Sequence, residues 1–387
     1  MFYKPDYEGG SIVNLMSSIT KGFGIKPDYS ELILLPAEEL KKYNNIINIV
    51  IDGLGYNYLM KKRKNFLKDN TVGKITSVFP STTSACITSF ATGIAPKEHG
   101  VTGWFVRIKQ GKHDIPSTIL LFNDRRNEET LINRGIKPED IFIDYRLSKQ
   151  IKDLKVIIPD SIKDSVYTSY LLADSKKIGY KGLEDFYKKT AEAVKSNKGK
   201  KNYIYAYLPD FDAVLHKTGT GSKDLSKLFN AISKQTEKFV REIKGTNSIV
   251  IITADHGLID GDINKRLNMN DIPEINRMLE FPLCGEPRAA YCYVKKKYKK
   301  EFRKIVEDKI GYAVRVFTRS QLIKGNYYGL FEPNSDLENR TGDFVLICKD
   351  NYVIKDFLSN EKVKYHAADH GGLSSDEIFV PLIVCKA

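Results

Sequence analysis

Tryptophan occurs once in this 387-residue sequence, methionine and cysteine five times each, and histidine six times. The cysteines (Cys86, Cys284, Cys292, Cys348 and Cys385) are scattered and odd in number, and none falls in CxxC spacing. That argues against a disulfide framework and against a cysteine-built metal site. No apolar run approaches the ~20 residues that a membrane helix needs. The opening residues, MFYKPDYEGGSIVNLMSSI, lack the basic start and apolar stretch of a secretory signal. A soluble, cytoplasmic protein is the expectation. Internal repeats, low-complexity segments and recognisable nucleic-acid-binding modules are also missing.

What is present is a globular composition, 42% hydrophobic and 11% aromatic, with enough chain for one large α/β unit carrying an insertion, or for two domains. The formal charge of +13 reads first as a lysine-rich solvated surface and second as a preference for an anionic substrate. Its densest basic run, 295–304, has apolar breaks at Tyr298 and Phe302, as one face of a helix would.

Short apolar runs recur, each followed by an acid and then a helical pattern. Residues 46–51 (IINIVI) end at Asp52-Gly53, residues 203–208 are followed by Pro209-Asp210-Phe211-Asp212, and residues 248–253 (SIVIIT) end at Ala254-Asp255-His256. Unbroken apolar runs of this kind suit buried parallel strands covered by helices, and acids at their carboxyl ends lie where such sheets hold ligands. Further strands are expected at 74–79, 118–122, 141–145, 156–158 and 378–384, with helices at 84–92, 183–196 and 225–243. After residue 258 the order strand 289–294, helix 301–310, strand 313–317, strand 344–348 suggests a smaller α+β insert. The expected organisation is a core of 1–257 and 363–387, interrupted by a cap of 258–362.

Three of the six histidines, His216, His256 and His370, occur beside or near an aspartate. Asp212 and His216 are four apart, on one face of a helical turn. With Asp52, Asp255 and a hydroxyl from the cluster Ser81-Thr82-Thr83-Ser84, these side chains supply oxygen and nitrogen donors for two divalent ions, zinc foremost and manganese as the alternative. Two metals about 4 Å apart can hold the attacking and the leaving oxygen of a phosphoryl group, and a hydroxyl at a helix start can serve as the nucleophile. The residues alone leave open which hydroxyl attacks. His366 is a competing ligand candidate, while His99 reads as structural or as support behind the ligands and His113 as a surface loop residue.

The segments VIDGLG, FPSTTSACITSFATGIAPKEHGV, PDFDAVLHKTG, ITADHG and DHGGLSSDEIFVPL, in this order and across nearly the whole chain, resemble the alkaline phosphatase superfamily, in its type I phosphodiesterase/nucleotide pyrophosphatase branch. The resemblance implies a three-layer α/β core with a mostly parallel sheet. It implies Thr83 as nucleophile, with Asp52, Asp255 and His256 holding the metal that activates it, and Asp212, His216 and His370 holding the second metal. It also implies hydrolysis of phosphodiester or pyrophosphate bonds of a small anionic substrate, a nucleotide by preference, through a phospho-threonine intermediate. A phosphomonoesterase or phosphonate hydrolase, and more remotely a phosphomutase, are the alternatives on the same core. Two departures stand out: Cys86-Ile87 occupies the place of the branch's Asn-His, and Trp104 the place of its phosphate-binding Asn. Trp104 and Arg288 are candidate substrate contacts, with packing as the alternative for Trp104 and a structural ion pair as the alternative for Arg288.

Overall fold

Residues Asn45–Ile51 form a strand buried along its whole length, the environment an apolar run without alternation demands. In the computed structural model, which describes residues 1–197 and 199–387, this strand lies at the centre of a seven-stranded sheet. The strand order is Thr71–Thr76, Phe379–Lys386, Ser248–Thr253, Asn45–Ile51, Asn202–Leu208, Leu154–Pro159, Lys176–Tyr180. Only Phe379–Lys386 runs against the others. Helices surround the sheet, which is the alkaline-phosphatase-like α/β architecture expected. The helix Lys223–Glu242 is amphipathic and buries Leu225, Phe229, Ile232 and Phe239; each such side chain contributes about 1.5–3 kcal/mol relative to exposure.

A second sheet of seven strands is antiparallel throughout, in the order Val314–Thr318, Phe344–Cys348, Ala289–Cys292, Cys284–Glu286, Phe105–Gln110, His113–Thr118, Asn123–Asp124. Three of its strands come from residues 105–124, outside the range 258–362 read from the sequence. Its core centres on Met269, Leu283, Phe302, Val306 and Leu346. A further cluster including Phe79, Tyr291, Tyr328 and Ile378 contains residues of both the core and the cap.

Two expected strands are not strands. Thr118 ends the strand His113–Thr118 and residues 119–122 form a turn: the N–H of Phe122 bonds the carbonyl of Ile119 at 3.2 Å, and Phe122 takes a positive φ of 57°. The run is apolar because Ile119 and Phe122 are fully buried while Leu121 faces solvent. Residues 141–145 lie at and beyond the helix Pro138–Ile141, which has proline in its first turn and whose preceding N–H, at Lys137, is bonded by Asp140 at 2.8 Å. Among the described residues, no helix is long and apolar enough to cross a membrane.

Candidate metal centre and active-site cleft

Neighbouring parallel strands deliver their following residues to one point at the carboxyl edge of the large sheet. Asp52 follows Asn45–Ile51, Asp255 and His256 follow Ser248–Thr253, and Asp212 and His216 lie on the helix Asp210–Thr218 after Asn202–Leu208. Thr83 begins the helix Thr83–Thr92, and His370 lies in the loop before Phe379–Lys386. All seven side chains predicted as a site therefore meet.

Ligand-type atoms of Asp212, His216 and His370 lie within 4.8 Å of one another, as do those of Asp52, Asp212 and His256. Asp212 thus reaches both halves. The Nε2 atom of His256 is 3.1 Å from Thr83 Oγ1, 3.5 Å from Asp52 Oδ1 and 3.4 Å from Asp255 Oδ2. Each histidine turns its other nitrogen to a backbone carbonyl: His216 Nδ1 to Ala368 at 2.8 Å, His256 Nδ1 to Gly257 at 3.2 Å, and His370 Nδ1 to Ser81 at 3.2 Å. That arrangement leaves Nε2 as the lone-pair nitrogen, the form in which imidazole ligates a metal.

Asp52 and Asp255 are anchored on one oxygen and open on the other. Tyr207 donates its hydroxyl to Asp52 Oδ2, and the N–H groups of Gly53 and His256 donate to Asp255 Oδ1 at 3.0 and 2.9 Å. Asp52 Oδ1, Asp212 Oδ1 and Asp255 Oδ2 are buried without a hydrogen-bond partner among the described residues. Burial, then the charges of Asp255 and Asp212, hold the Asp52 carboxyl well above the usual carboxylate range. Burial lifts Asp212 to about 7. The imidazoles move the other way: burial and the neighbouring His366 bring His216 down to about 4, and burial with the charge of His256 holds His370 well below its usual range. A divalent cation reverses the first effect and suits the second, since the acids ionise against it and neutral imidazole is the ligating form. The donor set fits such ions.

A cleft of about 400 Å³ opens on this cluster, lined by Thr83, Asp212, His216 and His370 together with Trp104, Phe105, Glu286, Pro287, Lys355, His366 and Asp369. The sequence reading missed Glu286, Lys355 and Asp369. His366 Nδ1 lies 3.3 Å from Asp369 Oδ1, and these two form a third close group with His216. Glu286 accepts from the Thr82 hydroxyl at 2.5 Å and from the Trp104 N–H at 2.6 Å, and burial pushes its carboxyl up to about 8. No spacing marked these residues, which come from the cap and from a loop. Arg288 does not reach the cleft. It is fully buried, bonds Glu377 through Nε at 3.0 Å and Nη2 at 2.7 Å, and donates Nη1 to the Tyr352 carbonyl at 2.5 Å, so of its two readings the structure has the internal ion pair and not the substrate contact. His99 is enclosed, its Nε2 3.1 Å from Ser89 Oγ, in keeping with a structural role.

The profile of the type I phosphodiesterase / nucleotide pyrophosphatase family matches residues 46–373. No curated protein matches the sequence. Among solved structures, the murine ectonucleotide pyrophosphatase/phosphodiesterase 5 superposes with a TM-score of 0.62 at 14% identity, over 87% of each chain. The human form gives 0.61 at 14% identity, again over 87% of each chain. Phosphonoacetate hydrolase from Sinorhizobium meliloti, in complex with phosphonoformate, gives 0.59 at 16% identity, over 89% of this chain and 90% of that one. With its fold and the profile in agreement, the chain belongs to the type I phosphodiesterase / nucleotide pyrophosphatase family, a phosphoester hydrolase on an alkaline-phosphatase-like core.

Proposed function

We propose that the chain hydrolyses phosphodiester or pyrophosphate bonds of nucleotides, with Thr83 as the nucleophile. The observation that carries this reading is the position of Thr83 Oγ1, 3.1 Å from His256 Nε2 at the first turn of a ten-residue helix and on the wall of the cleft. Bound divalent cations, zinc by the donor set and manganese as the alternative, would be held by Asp52, Thr83, Asp255 and His256 on one side and Asp212, His216 and His370 on the other, where they supply Lewis-acid charge at the attacking and leaving oxygens.

Thr83 Oγ1 attacks phosphorus in line. The new O–P bond makes a phospho-threonine as the bond to the leaving oxygen breaks, and the proton that Thr83 Oγ1 gives up is taken, through solvent, by the leaving oxygen. Water then cleaves the phospho-threonine and returns the hydroxyl. The first N–H groups of the helix have no intrahelical acceptor and favour the anionic phosphoryl oxygens. Glu286 fixes Thr82, the residue before the nucleophile, and engages the Trp104 N–H. Trp104 and Phe105 offer apolar faces to the organic part of the substrate. An inactive threonine-to-alanine variant of the murine relative has been solved in complex with AMP, which supports the nucleotide class here.

A phosphonate or phosphomonoester substrate is the second reading. Trp104, which lines the cleft and stands where the family pattern has a phosphate-binding Asn, leaves both readings open, since an indole N–H can also donate to a phosphate oxygen. Turnover of a nitrophenyl nucleotide diester, compared with a nitrophenyl monoester and a phosphonate in zinc and in manganese, separates the readings. Thr83→Ala is expected to lower turnover by roughly three orders of magnitude or more with an unchanged melting temperature. Near-wild-type turnover in that variant rejects Thr83 as nucleophile.

A further inference from the structure

Lys355 ends the short strand Val353–Lys355 of the cap and lines the cleft beside Glu286, Pro287, His366 and Asp369. Its ammonium donates to the carbonyl of Lys364 at 3.0 Å, and among the described residues no carboxylate forms a salt bridge with it. The cleft carboxylates that act on its charge are Asp369 and Glu286. Both have other partners: Asp369 is 3.3 Å from His366, and Glu286 holds Thr82 and Trp104. Neighbouring Arg125, by contrast, is neutralised by Asp356 at 2.9 Å and Glu361 at 2.8 Å. Lys355 is half-buried, with its ammonium 5.4 Å from the Phe357 ring centre and 5.8 Å from that of Tyr365, and these contacts leave its charge without a paired acid and open to an anion that enters the cleft.

Its place in the cleft indicates what that is. The carbonyl that accepts from Lys355 belongs to the segment 364–366, whose His366 has its ring centre 4.3 Å from that of His216, on the Asp212–His216 side, whereas Thr83 adjoins His256. In an in-line displacement the leaving group departs on the side away from the nucleophile. We propose that Lys355 is a specificity-determining residue that takes a second anionic group, a carboxylate or a phosphate, carried on the leaving-group side of the substrate. This rests on the cleft being the phosphoester site. The preferred substrates are then phosphoanhydrides, or phosphoesters and phosphonates whose leaving group is itself an anion.

Binding tests this without turnover. Methylphosphonate carries one anionic group, methylenediphosphonate adds a phosphonate, and phosphonoacetate adds a carboxylate. Calorimetric titration of the metal-loaded wild type is expected to show roughly 10- to 100-fold tighter binding of at least one two-anion probe over methylphosphonate, the size of one charge-assisted hydrogen bond. The arm that tightens identifies carboxylate or phosphate. Lys355→Met is expected to lose that preference and Lys355→Arg to keep most of it. Lys355→Gln serves if the methionine variant melts early. A preference that survives in the methionine or glutamine variant, or that is missing in the wild type, overturns the proposal even if hydrolysis is brisk. A lysine-dependent preference in a chain that turns over no phosphoester upholds the anion subsite and rejects the hydrolytic reading instead.

Discussion

Arg288 and Glu377 lie side by side with neither side chain reaching solvent. The pair joins the cap to the loop that carries His370, because Glu377 also accepts from the N–H of Gly372 at 2.8 Å and from the Ser374 hydroxyl at 2.6 Å. Arg288 keeps Glu377 below its usual carboxylate range against the opposing effect of burial. A buried pair of this kind gives little net stability compared with apolar groups of the same shape, but removing one partner strands the other charge. Arg288→Met is therefore expected to cost about 3–5 kcal/mol in denaturant unfolding. The double variant Arg288→Met/Glu377→Leu should recover part of the loss while still loosening the His370 loop. If the single and double variants are equally unstable, the cost lies in lost packing and not in an abandoned carboxylate.

The turn after the strand Asn45–Ile51 shows how an element, and not a side chain, sets the geometry of the centre. Gly53 has a φ of 75°, and a Cβ built there would stand 2.7 Å from Leu258 Cδ1 and 3.1 Å from Asp212 Oδ1. Gly53→Ala combines a left-handed backbone strain with pressure on a ligand-type carboxylate. It is expected to cost about 1–3 kcal/mol of stability and to weaken divalent-cation binding roughly 10-fold, read by a thermal melt and a metal titration of the same samples. Unchanged affinity would mean that Asp212 gives way freely. Legibility in the sequence also divides by element. The strands Asn45–Ile51 and Ser248–Thr253 were legible because they are buried on both faces and read as unbroken apolar runs ending in an acid. The hairpin Phe105–Gln110 with His113–Thr118 was not, because its first strand alternates, with Val106 and Ile108 buried between less buried neighbours, and its second contains Pro116. The ligand-type residues were legible because aspartate and histidine recur at strand ends. Glu286 and Lys355 were not, since their place in the cleft depends on how the cap folds over the core.

At the scale of the molecule, the question is what keeps that cap in register with the core. Glu98 is one such tie. It accepts from the Tyr29 hydroxyl at 2.8 Å, from the N–H of Ala95 at 2.9 Å and from the N–H of Phe331 at 3.1 Å, so that the N-terminal arm, the segment after the Thr83 helix and the Leu330–Phe331 stretch meet at one carboxyl group. Burial pushes this carboxyl up to about 7, against the lowering effect of those hydrogen bonds. The sign of its pH dependence follows from the linkage between proton binding and folding. A carboxyl with a folded value near 7 and an unfolded value near 4.5 binds more protons in the folded state between those two values. Its contribution is fully present below the unfolded value and is lost as pH rises through the folded one. Glu98→Gln keeps the shape and cannot ionise. The free energy of urea unfolding of the wild type minus that of the glutamine variant, with the same metal loading, is expected to fall by roughly 1–3 kcal/mol between pH 5 and pH 8. Because the comparison is a difference, titrations at the metal centre common to both proteins cancel to first order. A difference that rises with pH would mean that the three donors hold Glu98 ionised throughout, and that the tie between arm, core and cap is a charged one.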